Sequence, residues 1–203
     1  MSEIIAFIES NIELTIYGGG VVLVLLLFLV FFLRYRHKTA TRRRINASIL
    51  SIGGQAVENT EFADDVDGNV HVDFLVYSKG RLIVLNVQDY PGMIFGGEKI
   101  DQWTQMFGGN SFKFTNPLDY SRVCVQVVKQ RFPNIKVFGQ VVFSHHGDFP
   151  KGIPEGVSRL DDLMSDIEKI PVIEGDHEAG LIEWQGFIES ISTNKVTRVY
   201  EMQ

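Results

Sequence analysis

Two stretches decide the fold: VHVDFLVY at residues 70–77 and RLIVLNVQ at 81–88, joined through Ser78, Lys79 and Gly80. Both are dense in β-branched and aromatic residues, and Lys79-Gly80 supplies the turn, so the pair reads as a β-hairpin. Side chains alternate faces along a strand, so His71 and Asp73 share one face, and Asn86 and Gln88 share one in the second strand. Asp73 lies between Val72 and Phe74, so its carboxylate is partly buried. Such a group needs a hydrogen-bond partner or a metal.

Downstream, Tyr90-Pro91-Gly92 makes a turn and MIFG (93–96) a short strand. GEKIDQW (97–103) reads as a polar excursion anchored by Trp103, and SFKFT (111–115) as a strand. Asn116 can cap a helix with Pro117 at its first position and Asp119 in its first turn. That helix runs to about Arg131, where Pro133 blocks continuation, with an apolar stripe of Leu118, Val123, Cys124, Val127 and Val128. IKVFGQVVFS (135–144) reads as a buried strand. Helices follow over about 160–169 and 182–191, the latter carrying Trp184, Phe187, Ile188 and Ile191. The tail, 192–203, is a short strand (KVTRVY) or loose. Strands interleaved with helices define a small α/β domain.

Upstream the pattern weakens. Residues 45–60 carry little periodicity, with Gly53 and Gly54 breaking any helix. FADDVDGN (62–69) is acidic and turn-like. Further back, LTIYGGGVVLVLLLFLVFFL (14–33) has no charge, and a helix of 20 residues spans roughly 30 Å, one hydrocarbon core. The run is followed by Arg34, Arg36, Lys38, Arg42, Arg43 and Arg44 without an acid, and preceded by Glu3, Glu9 and Glu13 without a base. The positive-inside rule then places the N-terminus outside and residues 45–203 in the cytoplasm. A signal peptide fits poorly, because the basic cluster follows the apolar run. Tyr17 and Tyr35 fall at headgroup level. Gly18, Gly19 and Gly20 form a small-residue patch suited to helix–helix packing. The basic cluster faces anionic membrane lipid.

The expected organisation is a non-cytoplasmic segment at 1–13, a transmembrane helix at 14–35 and a basic juxtamembrane linker at 36–56. An α/β domain at 57–180 and a C-terminal helix and tail at 181–203 complete it. Residues 45–203 hold 13 basic and 22 acidic residues, a balance that weighs against nucleic acid as partner. The single cysteine, Cys124, excludes an internal disulfide framework and reads as a small core residue. His145 and His146, with Asp148 nearby, read as a polar loop leaving a buried strand. Glu174, Asp176 and Glu178 lack a calcium-loop pattern.

The order of these pieces resembles the NERD (nuclease-related) domain family, a branch of the PD-(D/E)xK nuclease-like folds. The resemblance runs over about 57–145. It rests on VHVDFLVYSKGRLIVLNVQDYPG (70–92), Gly97, Trp103 and TNPLDYSRVCVQVV (115–128). It implies a small mixed-sheet, restriction-endonuclease-like domain, in a family whose other members also carry an N-terminal membrane helix. Asp73 occupies the family's metal-binding Asp position. Asn86 stands where the resemblance implies Glu, and Gln88 where it implies Lys. The helical Glu expected ahead of the first strand has no counterpart in ASILSIGGQAVEN (47–59), and Glu58 fits that role poorly. Magnesium wants anionic oxygens, and phosphodiester cleavage needs charge near the transition state. Two neutral amides supply neither, so the sequence reads as a degenerate site with no cofactor. The expected function is a non-catalytic, single-pass accessory subunit in the bacterial inner membrane, binding another membrane protein or a larger membrane complex. The alternative is a membrane-tethered, Mg-dependent nuclease centred on Asp73.

Overall fold

The structure, a computed structural model, describes residues 23–29, 31, 45–49, 51–64, 68–172, 178–191 and 198–202. The chain divides into two compact units, Met1–Arg44 and Ile45–Gln203. In the first, residues 23–29 and 31 are helical and exposed. The rest of the apolar run lies outside the described residues, as do Tyr17, Tyr35, the Gly18–Gly20 patch and the basic cluster Arg34–Arg44. Among the described residues no helix is long and apolar enough to cross a membrane.

The second unit is a mixed α/β domain. Its main sheet contains β1 (Gly54–Asp64), β2 (Gly68–Ser78), β3 (Arg81–Gln88), β7 (Lys136–Phe143), β9 (Val157–Arg159) and β10 (Arg198–Met202). The order is β10-β1-β2-β3-β7-β9, antiparallel from β10 to β3 and parallel from β3 to β9. A second sheet, β6-β5-β4-β8, is built from β4 (Gly92–Phe95), β5 (Gln102–Phe107), β6 (Asn110–Thr115) and β8 (Gly147–Asp148). The helices are α1 (Pro117–Arg131), α2 (Leu163–Lys169) and α3 (Glu178–Ile191).

The central hairpin forms as its sequence dictates. Lys79 (φ 52°) and Gly80 (φ 73°) both take positive φ, the two-residue turn whose twist matches the flanking strands. Helix α1 starts where expected, with the Asn116 side chain accepting from the Leu118 N–H at 3.0 Å. The strand expected at 135–144 is β7, paired with β3 in parallel.

The main sheet buries both faces. Val72, Leu75, Leu82 and Val84 pack against Cys124 and Val128 of α1 and Trp184 and Phe187 of α3. Phe74, Val76, Ile83 and Leu85 pack on the other side against Leu163 and Ile167 of α2 and helical Ile45 and Ile49. Burying an aliphatic side chain of this kind contributes about 1.5–3 kcal/mol each. Val123 is not part of the stripe: it is 42 % exposed, and Ser121 is buried in the stripe instead. A Cβ on Gly139 would come within 2.6 Å of Val125 and 3.0 Å of the Ser121 hydroxyl. Helix and strand therefore approach closely at a small-residue contact.

Two other local readings change, and the tail, read as a short strand or loose, is a strand. The weakly patterned 45–60 contains five helical residues and the start of an eleven-residue strand. Gln102 and Trp103 open β5, so the excursion ends at Asp101. The tail adds β10 to β1. Of the acidic trio, Glu174 and Asp176 lie outside the described residues, while Glu178 opens α3.

Candidate functional site

The site forms where β2 parts from β3. Val70 and Val72 belong to the α1-side core, yet Phe74 and Val76 belong to the α2-side core. Residues two apart normally share a face, so the strand turns over at Asp73. The opposite strand turns over too, between Ala56 and Phe62, where Asn59 has φ 55°. The β2–β3 ladder stops at Phe74↔Leu85. In that register Asn86 would next face Asp73, and Val87 would face Val72. Instead the Asp73 side chain fills the place: its Oδ2 accepts the Val87 N–H at 2.8 Å. The carboxylate is thus a substitute rung of the sheet.

His71 shares Asp73's surroundings as its spacing implied, with Nε2 3.6 Å from Asp73 Oδ1; the two side chains are 46 % and 33 % exposed. Helix α1 is tied to the same point. Tyr120 OH accepts from the His71 N–H at 3.0 Å and donates to the His71 carbonyl at 2.9 Å. Cys124 Sγ lies 3.6 Å from that carbonyl, and the Asn86 amide N–H points at Cys124 Sγ across 3.7 Å. Asn86 is 1 % exposed, and its Oδ1 has no hydrogen-bond partner among the described residues. Gln88 is half-buried, and its carbonyl accepts from the Ser144 N–H. Burial pushes the Cys124 thiol up, against the Asn86 and Tyr120 hydrogen bonds, and the Asp73 charge adds to the rise. Burial also raises the Tyr120 phenol. This is a protonated, inert environment.

These residues do not fit a magnesium ion. The constellation offers one carboxylate, of which one oxygen is held by a backbone N–H, beside an imidazole, an amide, a thiol and a phenol. Among the described residues no group of three or more His, Cys, Asp or Glu could hold a metal. Glu58 is buried and accepts from the Tyr200 hydroxyl at 2.8 Å, and Tyr200 packs against the α2-side core.

A second polar cluster escaped the reading of 145–148 as a plain loop. Gln88 and Phe143 are in register, so Asp89 and Ser144 leave the parallel strands side by side. Ser144 Oγ donates to Asp89 Oδ1 at 2.5 Å, and His146 Nδ1 lies 3.1 Å from the same oxygen and 3.3 Å from Ser144 Oγ. A nucleophile relay needs the hydroxyl on one imidazole nitrogen and the acid on the other. Here both meet Nδ1, so the serine is oriented but not activated. Burial pushes the Asp89 carboxyl up, but its bonds to Ser144 and His146 and the charges of His146 and His145 outweigh that and hold it below its ordinary value. The signal was a pair of strand ends 55 residues apart, visible only once β3 and β7 are aligned.

An open cleft of about 730 Å³ lies between α1 and β7, edged by Arg122, Lys129, Glu98 and Glu155. Its charges balance, and no residue of the Asp73 constellation lines it.

Residues 36–144 match the family described as NERD, nuclease-related domain. The match covers more than half of the chain, and the chain belongs to that family. No curated protein and no solved structure matches it.

Proposed function

We propose that this chain is a single-pass membrane accessory subunit whose nuclease-related domain is a non-catalytic scaffold for protein interaction. One observation carries this reading. The single carboxylate at the nuclease-like position, Asp73, is committed to the Val87 N–H, beside neutral Asn86 and Gln88. A scaffold needs that bond to hold β2 where it parts from β3. A metal nuclease needs the same carboxylate turned toward an ion together with further anionic ligands.

Residues 14–35 are the proposed span, in a bacterial inner membrane. Gly18, Gly19 and Gly20 are its packing patch, and Arg34, Arg36, Lys38, Arg42, Arg43 and Arg44 lie against anionic lipid. The ligand is another membrane protein or a larger membrane complex, and nucleic acid is disfavoured by the acid-rich 45–203 segment. Full chain in mild detergent, pulled down and read by mass spectrometry, should return stoichiometric membrane proteins that Asp73→Ala releases in part. Recovery of nucleic acid alone would reverse the assignment. Topology has its own test: an external thiol probe should reach Ser2→Cys and miss Ser192→Cys.

A further inference from the structure

The second sheet carries a feature the scaffold reading does not use. Strands β5 and β6 form a hairpin closed by Gly108 (φ 58°) and Gly109 (φ 80°), both with open space where a side chain would be. Around this thin turn lie Met93, Met106, Phe107 and Phe112, which are 42 %, 39 %, 53 % and 50 % exposed. They occupy both faces. Met93 and Met106 are cross-strand partners on one face. Phe107, and Phe112 opposite Gln105, lie on the other by the alternation of the strands. Residues 102–115 contain no acid and one base, Lys113, in a domain where acids outnumber bases 22 to 13.

From this placement we infer that the β5–β6 tip is a membrane-inserting wedge, its partner a lipid surface bearing anionic headgroups. The inference rests on the proposed membrane attachment of this chain. Exposed apolar side chains stand on both faces of this hairpin, and hydrocarbon can cover both at once. The cation placement agrees with depth. Lys113 pairs with Thr104, three rungs behind the Phe107–Asn110 rung, and Thr104 pairs with Phe95. Lys151 lies over the Phe95 ring, 5.7 Å from its centroid. At about 3.4 Å per rung, the rung that carries Lys113 and Phe95 lies roughly 10 Å behind the tip. That is the depth at which interfacial elements keep charge among headgroups while apolar side chains reach the acyl boundary. Asp148, beside Met93 on β8, lies at the far edge of the sheet, so the wedge enters by its β5–β6 corner.

The test uses full chain in nanodiscs of 3:1 phosphatidylcholine and phosphatidylglycerol. Nitroxide labels are placed singly at Phe107→Cys, Phe112→Cys, Lys136→Cys and Leu25→Cys, and their collision rates with oxygen and with a water-soluble nickel chelate are compared. Labels at 107 and 112 should favour oxygen several-fold over the label at 136. Lys113→Glu should reduce that preference in the anionic discs and leave it unchanged in pure phosphatidylcholine. Labels at 107 and 112 as open to nickel as the one at 136 would overturn the wedge, whatever residue 25 reports. Labels shielded from both reagents would mean a protein cover and would overturn it too. A nickel-accessible label at 25 beside immersed labels at 107 and 112 would refute the span and leave the wedge standing.

Discussion

Two aspartates, one in the middle of β2 and one just past β3, have opposite fates. Asp73 lies at the nuclease-like position and is absorbed into the sheet, where its carboxylate replaces a missing backbone rung. Asp89, just past β3, has a 55 % exposed side chain bound to Ser144 and His146. The position that resemblance marks as chemical is bonded into the sheet here, and the polar cluster lies where the sequence suggested only a loop. Residue type at a family position is therefore a weaker guide than what the side chain is bonded to.

The sharpest way to break this contrast is to remove the substitute rung. Asp73→Ala leaves the part-buried Val87 N–H without its acceptor, which costs about 1–3 kcal/mol. Asp73→Asn keeps an oxygen acceptor and should cost about 1 kcal/mol or less. Denaturant unfolding of the two variants measures the difference, and equal losses would mean that the charge, not the bond, is what matters.

The Asn86 amide is next. Among the described residues its Oδ1 is buried without a hydrogen-bond partner and its N–H meets a thiol. Asn86→Leu should be neutral, or stabilising by up to about 1 kcal/mol. A loss of several kcal/mol in the same unfolding experiment would mean that the amide has a function in the fold that this account omits. Cys124 sharpens the same point by kinetics. Its thiol is fully buried and pushed up by burial, so a thiol reagent at pH 8 should label it only as fast as the domain unfolds.

The smallest effect concerns Asp89. Its folded-state carboxyl titrates below the ordinary value, so its contribution is present above the ordinary carboxylate range and is lost as pH falls through the folded value. With so exposed a side chain the contribution is strongly screened. Asp89→Asn should flatten the fall in Tm below about pH 4. The same acid slope in both proteins would argue against the Asp89 bonds as its source.

What the sequence makes legible follows from range. The Lys79-Gly80 turn and the Asn116 cap are set by residues within three or four positions, and both formed as read. β1 was illegible because its periodicity reverses at Asn59, where the backbone takes positive φ to follow the turnover at Asp73. The choice of Ser121 over Val123 depends on Gly139, a strand away, whose missing side chain admits the helix. β10 was ambiguous because its pairing is with β1, more than 140 residues earlier. At the site, the Asp73–His71 neighbourhood could be read from period two. The Val87 bond could not, because it requires knowing where the ladder stops, nor could Asp89–Ser144, which requires the β3–β7 register.

The central claim is that the nuclease-like centre of this family member does not cleave nucleic acid. The most direct measurement incubates purified full chain, and Asp73→Ala beside it, with single- and double-stranded DNA and RNA in Mg²⁺ or Mn²⁺. The account predicts intact substrate with both proteins. Cleavage by the parent that disappears with Asp73→Ala would contradict it.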